Sequence, residues 1–222
     1  MTIALKYYII IVLWTFRNGD FLAHYFTNNE NLKSELRTIK YDNGDFSLSF
    51  YSDNGVFSKN HLDYGSSLLI NNVIKNCSKN LNILDVGCGY GFIGITLAKI
   101  IDANVVMVDV NKRAVHLTEM NIKENKVDAK VIESNIYENV DGKYDVVVTN
   151  PPIRAGKKIV LEILLKAKEF LNINGELWFV IRKDQGAKSI AKELESIYNL
   201  EVVEKSKGFY IFRAKMCWHC RL

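Results

Sequence analysis

The chain has 222 residues, 48% of them apolar, and a formal charge of +4 at neutral pH. That composition supports one domain with its own core and excludes a disordered chain, and four cysteines at this size do not form a disulfide framework. The charge is uneven: from Pro151 onward 14 Lys/Arg stand against 8 Asp/Glu, whereas residues 1–150 carry 15 against 17. A basic C-terminal part fits a polyanionic partner.

The run "YYIIIVLW" (7–14) is continuously apolar but shorter than the roughly 20 residues of a membrane span. It also lacks the basic start and small-residue cleavage site of a leader. Residues 1–22 are therefore read as an apolar extension, and the protein as cytoplasmic with no membrane partner. "LRTIKYDNGDFSLSFYS" (36–52) has two strand-like runs around Asp42-Asn43-Gly44, which predicts a β-hairpin at about 35–52. A loop and a helix from about Ser66 to Cys77 follow.

From there strands and helices alternate. Strands are predicted over 82–87, 104–110, 130–134, 144–150, 176–181 and 207–215. Helices are predicted over 91–101, through about Glu124, over 156–171 and over 186–198. Apolar strands that do not alternate, separated by helices, imply an α/β fold with a parallel sheet covered on both faces. At the C-terminus "CWHC" places Cys217, His219 and Cys220 together, half a zinc site without a second ligand pair, so no metal is expected. Residues 216–222 are read as a tail.

In parallel sheets ligands bind outside the carboxyl ends of the strands, where strand order reverses. The first end is "LDVGCGYGFIG" (84–94). Glycines 87, 89 and 91 allow a sharp turn and close approach to a ligand at a helix N-terminus. Phe92 occupies the third glycine position of the dinucleotide fingerprint, and Asp85 in the preceding strand repels a pyrophosphate and suits a ligand with an ammonium group. The second end is Asp109, placed to accept from ribose hydroxyls. At the third, Asn135 is a candidate to face an adenine edge and Ile136 its flat face.

The fourth end is "VVVTNPPIRAGKK" (146–158), which holds the only two prolines of the chain. Proline lacks an N–H, fixes φ, and pushes the preceding residue into an extended conformation. Asn150-Pro151-Pro152 is thus a stiff segment with carbonyls in set directions, to which Asn150 adds a side-chain carbonyl. Two such acceptors take both hydrogens of an exocyclic nucleobase amino group and aim its nitrogen lone pair. The plainer alternative is a helix start capped by Asn150.

"ILDVGCGYGFIGI", the acid of "VVMVDV" and "VVVTNPPI" resemble the motifs of class I S-adenosylmethionine-dependent methyltransferases that act on amino groups. With "HYFT" (24–27), "GVFSKNHLDYGSSLLI" (55–70) and "NPPIRAGK", the sequence is similar to the small-subunit ribosomal RNA guanine-N2 methyltransferase family, in its short archaeal single-domain type. The resemblance implies a Rossmann-like fold over residues 23–215, with its core from about residue 62. Its sheet would be seven-stranded and mostly parallel, with helices on both faces and the hairpin as an extension.

Carried over by position, Asp85, Gly87, Cys88 and Gly89 would hold the methionine end of S-adenosylmethionine, and Asp109 its ribose. Val110 and Ile136 would sandwich the adenine, Asn135 would meet its amino group, and Phe57 and Asp63 would close over the cofactor. Asn150, Pro151, Pro152 and Ile153 would be catalytic. The partner implied is RNA, as small-subunit rRNA or a subunit assembly intermediate, bound by Arg154, Lys157, Lys158, Arg182 and Lys183 to a monomer or homodimer. Two departures stand out: Ile153 replaces the usual aromatic after the prolines, and Asn135 a common aspartate.

Rival readings share the fold. A DNA amino-methyltransferase would use the same Asn-Pro-Pro logic but needs a target-recognition domain. A protein-glutamine methyltransferase normally has a longer N-terminal domain and an aromatic after the prolines. A catalytically silent cofactor-binding module would not need Asn150-Pro151-Pro152 intact, and Phe92 and Asp85 disfavour a nicotinamide dehydrogenase.

Overall fold

The computed structural model describes residues 32–216, so the apolar run 7–14, "HYFT" and the "CWHC" tail lie outside the described residues. The hairpin forms as expected from β1 (Arg37–Asp42) and β2 (Ser47–Ser52), paired antiparallel. Its turn is made by Asp42 Oδ1, which accepts from the Gly44 amide at 2.8 Å, and by the Asn43 amide donating to the Phe46 carbonyl. Gly44 has a φ of 92°, which a side chain at that position would resist.

After the hairpin come α1 (Tyr64–Asn76), β3 (Asn82–Val86), α2 (Phe92–Ile101), β4 (Asn104–Asp109), α3 (Lys112–Asn125) and β5 (Ala129–Glu133). The chain continues through β6 (Tyr144–Thr149), α4 (Lys157–Lys166), β7 (Leu171–Arg182), α5 (Ala187–Leu194), β8 (Tyr198–Ser206) and β9 (Phe209–Met216). The main sheet has seven strands in the order β5-β4-β3-β6-β7-β9-β8. Only β9 runs against the others.

Neighbouring residues of one strand serve opposite cores, which is why the strands read as unbroken apolar runs. Ile83, Met107, Val148 and Trp178 pack on one face with Leu69 and Val73 of α1 and Ile95 and Leu97 of α2. Leu84, Val108, Val147 and Phe179 pack on the other face with Ile163 and Leu164 of α4 and Ile190 and Leu194 of α5. Each such burial contributes about 1.5–3 kcal/mol relative to exposure.

A two-stranded hairpin is marginal alone and needs a surface to pack on. Here Phe50 inserts edge-on against Phe92 and Tyr90, and Tyr41 against Phe92. The free edge of β2 is closed by two amides of α3. Asn121 exchanges hydrogen bonds with the Tyr51 backbone at 2.7 and 2.9 Å, and Asn125 with the Ser49 backbone at 2.9 and 2.8 Å. These side chains imitate a neighbouring strand. Phe92, at the start of α2, is therefore the residue onto which the hairpin is clamped.

Three boundaries differ from expectation. The helix expected over 186–198 ends at Leu194, and Tyr198–Ser206 is a further strand. Its alternation is masked by a register shift between Val202 and Glu204. The helix expected over 156–171 ends at Lys166, followed by a 3₁₀ turn over Ala167–Glu169. Strand β7 begins at Leu171, because Tyr144 pairs with Leu171 and Val146 already with Glu176. The turn-like "NING" is thus an excursion within a strand rather than a loop before one.

The chain runs outward from β3 through β4 to β5, then returns to β6 on the other side of β3. The carboxyl ends of β3, β4 and β6 therefore meet at the reversal point, where a crevice for a ligand is expected. No helix among the described residues is long and apolar enough to cross a membrane.

Candidate active site

The glycine loop after β3 is tied to the end of β4. Both the Gly87 and Cys88 amides donate to the Val108 carbonyl, at 2.9 and 3.0 Å, and the Gly89 amide donates to Asp109 Oδ2 at 2.9 Å. Gly87 and Gly89 have φ of 73° and 59°, and a Cβ at either would meet nothing within 4 Å. Their backbone therefore faces open space that a ligand can enter. Gly91 differs from the expectation of a ligand-facing glycine: a Cβ there would lie 2.9 Å from Thr118 of α3. Close packing of α2 on the sheet falls to Gly94, whose Cβ would meet Met107 at 2.6 Å. Cys88 has its thiol buried against Thr118, with its pKa pushed up by that burial, so it borders the crevice through its backbone.

Asp85 is fully buried. Its Oδ2 accepts from the Gly94 amide at 2.9 Å, fixing the start of α2, while Oδ1 has no partner. Burial raises its pKa to about 7, with the charge of Asp109 a lesser cause. A buried acceptor without a partner is costly, and its presence beside a ligand loop marks a position where a donor is expected. Asp85 has no exposed surface in the ligand-free chain, and its partnerless oxygen is the acceptor to which the sequence assigns an ammonium group. Asp109 is half-buried at the end of β4. Burial raises its pKa to about 6, opposed by hydrogen bonds from the amides of Asn111, Gly89 and Val110.

After β5, Asn135 is exposed and its side-chain amide donates to Glu138 Oε1 at 2.8 Å. Ile136 is half-buried at a φ of 54°. A β-branched residue in the left-handed region is a true outlier, and such strain concentrates at ligand clamps. Across the crevice the 53–63 loop is anchored by Arg113, which donates to the Asn54 carbonyl and pairs with Asp53, and by Asn111, which donates to the Gly55 carbonyl. Phe57, on this loop, is 56% exposed.

At the end of β6, Thr149 donates to the Val86 carbonyl at 2.7 Å and ties this strand to β3. Asn150 does not cap a helix. Its amide nitrogen donates to Asp63 Oδ2 at 3.0 Å and to Ser66 Oγ at 2.9 Å. The flipped amide would set an oxygen against a carboxylate, so this orientation is fixed by charge and not only by fit. Asp63 is the N-cap of α1, accepting from the Ser66 amide. The resemblance implies a place for it over the cofactor, but its carboxylate here holds the catalytic candidate by its nitrogen. Ser66 carries no sequence signal, since a serine in the first turn of a helix reads as solvated.

Pro152 precedes a 3₁₀ turn, Ile153–Ala155, in which Ile153 is half-buried and packs on the second core. Among the basic candidates, Arg154, Lys158, Arg182 and Lys183 are exposed. The Lys157 ammonium is already engaged by Ser189 and Glu193 of α5, and Arg182 is held at both ends of its fork by Asp184. No cluster of metal-ligating side chains occurs among the described residues.

The sequence and the fold are similar to those of known proteins. The model of the methyltransferase small domain family matches residues 47–213. The uncharacterized protein YbxB of Bacillus subtilis is 43% identical over 86% of this chain and 98% of its own length. Ribosomal RNA small subunit methyltransferase C of Haemophilus influenzae is 34% identical over 72% of this chain and 50% of its own. Among solved structures, the T. thermophilus 16S rRNA N2 methyltransferase RsmC in complex with AdoMet and guanosine superposes with a TM-score of 0.75. It is 21% identical, over 84% of this chain and 52% of that one. The chain thus spans about half the length of these two methyltransferases. A Lactobacillus ribosomal protein L11 methylase shares the fold at a TM-score of 0.61 and 22% identity, over 72% of this chain and 88% of that one, so the fold alone does not select an RNA substrate.

Proposed function

The chain belongs to the methyltransferase small domain family as an S-adenosylmethionine-dependent class I methyltransferase, and from that premise we propose that it methylates guanine N2 in small-subunit rRNA. The observation that carries this reading is the double anchoring of the Asn150 amide nitrogen by Asp63 and Ser66. With the nitrogen committed, the side-chain carbonyl is the group left to accept from a substrate. The backbone carbonyl after it, beside a proline that lacks an N–H, supplies a second acceptor with no competing donor.

The residues that border the crevice fit the cofactor. Gly87, Cys88 and Gly89 present an open backbone, Asp109 offers a half-buried carboxylate, and the partnerless oxygen of Asp85 lies behind them. Val110, Asn135 and Ile136 complete this half, with Phe57 as its cover. S-adenosylmethionine, when bound, supplies a methyl group already activated on a sulfonium.

The protein's own task is positioning. Two acceptors that hold both hydrogens of an exocyclic amino group favour a pyramidal nitrogen and direct its lone pair. No strong base is required, because the nitrogen loses its proton to solvent after attack. The target base has to be unpaired, since pairing would commit one of the two amino hydrogens that the Asn-Pro-Pro acceptors take. RNA docking falls to Arg154, Lys157, Lys158, Arg182 and Lys183, whose present contacts exchange for phosphates. Transfer of tritiated methyl to small-subunit RNA, intact subunits, DNA and ribosomal protein, followed by nucleoside analysis, tests the reading. N2-methylguanosine is the expected product, and label confined to DNA, protein, a ring carbon or a ribose would overturn it.

A further inference from the structure

The β8–β9 hairpin carries a surface that the catalytic loop does not explain. Ser206 pairs with Phe209, so Lys207 and Gly208 form a two-residue turn with φ of 47° and 82°. Such turns favour Asn or Gly at their first position, because a side chain in the left-handed region is strained. A lysine held there is a residue kept at a cost to the backbone. Its ammonium lies 4.6 Å from the centre of the Tyr64 ring. Tyr64 itself is 38% exposed, bonds to Ser206 Oγ through its hydroxyl at 2.8 Å, and meets the Phe209 ring at 5.7 Å.

The pattern repeats around this pair. The Arg182 guanidinium covers Phe209 at 5.3 Å while its edge is held by Asp184, and Lys205 lies 5.0 Å from the Tyr210 ring. Lys183 is joined to the turn by its amide, which donates to the Gly208 carbonyl. The surface adjoins the chemistry directly. Tyr64 follows Asp63, the residue that holds Asn150, and a Cβ on Gly65 would strike the Phe209 ring at 2.8 Å. Ile153, by contrast, is packed on the second core and has no ring to offer.

We propose that the start of α1 and the β8–β9 turn form a stacking platform for single-stranded RNA beside the methylated nucleotide. A flanking base lies on the Tyr64–Phe209 pair, and Lys183, Lys205 and Lys207 meet the phosphates. Cations set against one exposed ring, Tyr64, and two half-buried ones, Phe209 and Tyr210, fit a partner that alternates phosphates and flat bases, whereas an acidic peptide would use the cations alone. The platform adds a stacking contact next to the target site, where Ile153 has no ring, and it rests on the RNA reading above.

The test is the affinity of the full chain, saturated with S-adenosylhomocysteine, for a fluorescent single-stranded RNA, followed by anisotropy across salt concentrations. Tyr64→Ala should weaken binding by about 5- to 150-fold with the salt slope unchanged, while Tyr64→Phe binds as the parent does. Lys207→Ala should lower the slope by about one. If Tyr64→Ala fails to fold, Tyr64→Leu keeps the bulk without a ring and should show the same loss. Unchanged affinity in the ring-less variants, with loss only in Lys207→Ala, would mark a plain polyanion surface and overturn the platform. Equal loss in Tyr64→Phe would assign the effect to the Ser206 hydrogen bond and overturn it as well. A parent protein that binds no RNA at all would instead sink the RNA reading itself.

Discussion

At the ends of β3 and β4 the polar groups are Asp85 and Asp109, carboxylates whose burial makes ionisation costly. Across the crevice, at the end of β6, the polar group is Asn150, neutral at any working pH and held by its nitrogen. On the proposed reading the two halves divide the work. The cofactor side holds carboxylates in poorly solvated positions, whose ionised form a cationic ligand favours. The acceptor side keeps a dipole in a fixed direction, which aids a reaction in which positive charge develops on the target nitrogen.

The largest effect that separates the halves is expected at Asn150. Asn150→Ala should lower the rate of methyl transfer by about a hundredfold or more, the scale of removing one preorganised partner, with cofactor affinity nearly unchanged. Single-turnover transfer and cofactor titration measure the two separately. A variant that kept full transfer would show that the acceptor half is only structural. Asp109→Ala should do the converse. Losing hydrogen bonds to a charged group weakens cofactor binding by about 10- to 150-fold. The cofactor-induced rise in melting temperature would then be largely lost at concentrations that protect the parent.

The next effect follows from ionisation. Asp85 and Asp109, raised from 3.8 to about 7 and about 6, hold protons in the folded protein that the unfolded chain has already released. Their contribution therefore makes the ligand-free fold less stable as pH rises from about 4 to 7, and is constant above that. Cofactor binding should run the other way, weakening about tenfold as pH falls from 8 to 5 because the cation meets a neutral acid. Melting curves with and without S-adenosylmethionine over this range measure both trends. Asp85→Asn should make the ligand-free trend shallower, leaving the part due to Asp109, and an unchanged slope in the variant would locate the effect elsewhere.

Much of this division is legible in the sequence, and for a physical reason. Gly87 and Gly89 sit at positive φ, which residues with side chains resist, and the double proline fixes φ, so residue type alone is enough to place the glycine turn after β3 and the stiff Asn150-Pro151-Pro152 segment after β6. What stays hidden depends on partners distant in the chain. Ser66 gains its role only because α1 brings it to Asn150, 84 residues on. Asn121 and Asn125 read as solvated helix polarity but are buried as a substitute strand for the hairpin. Strand β8 escapes a reading by alternation because a register shift breaks its pattern, and with it goes the turn that carries Lys207.

The smallest expected effect tests whether the cofactor half stores strain. Ile136 occupies the left-handed region at a φ of 54°, which costs an L-residue roughly 1–2 kcal/mol. Ile136→Gly removes that cost but also removes a half-buried side chain that packs on the second core, and both terms are of order 1 kcal/mol. The ligand-free protein should therefore change in stability by less than about 1 kcal/mol, in contrast to the loss expected for truncating an unstrained isoleucine. Cofactor affinity has no such compensation. If the strain is kept so that the side chain faces the adenine, affinity should fall about fivefold to tenfold, the scale of one lost apolar contact. Denaturant unfolding and cofactor titration of this one variant read the two quantities. A clear loss of stability with unchanged affinity would make Ile136 an ordinary packing residue and confine the ligand-directed features of this half to the glycine loop and its two carboxylates.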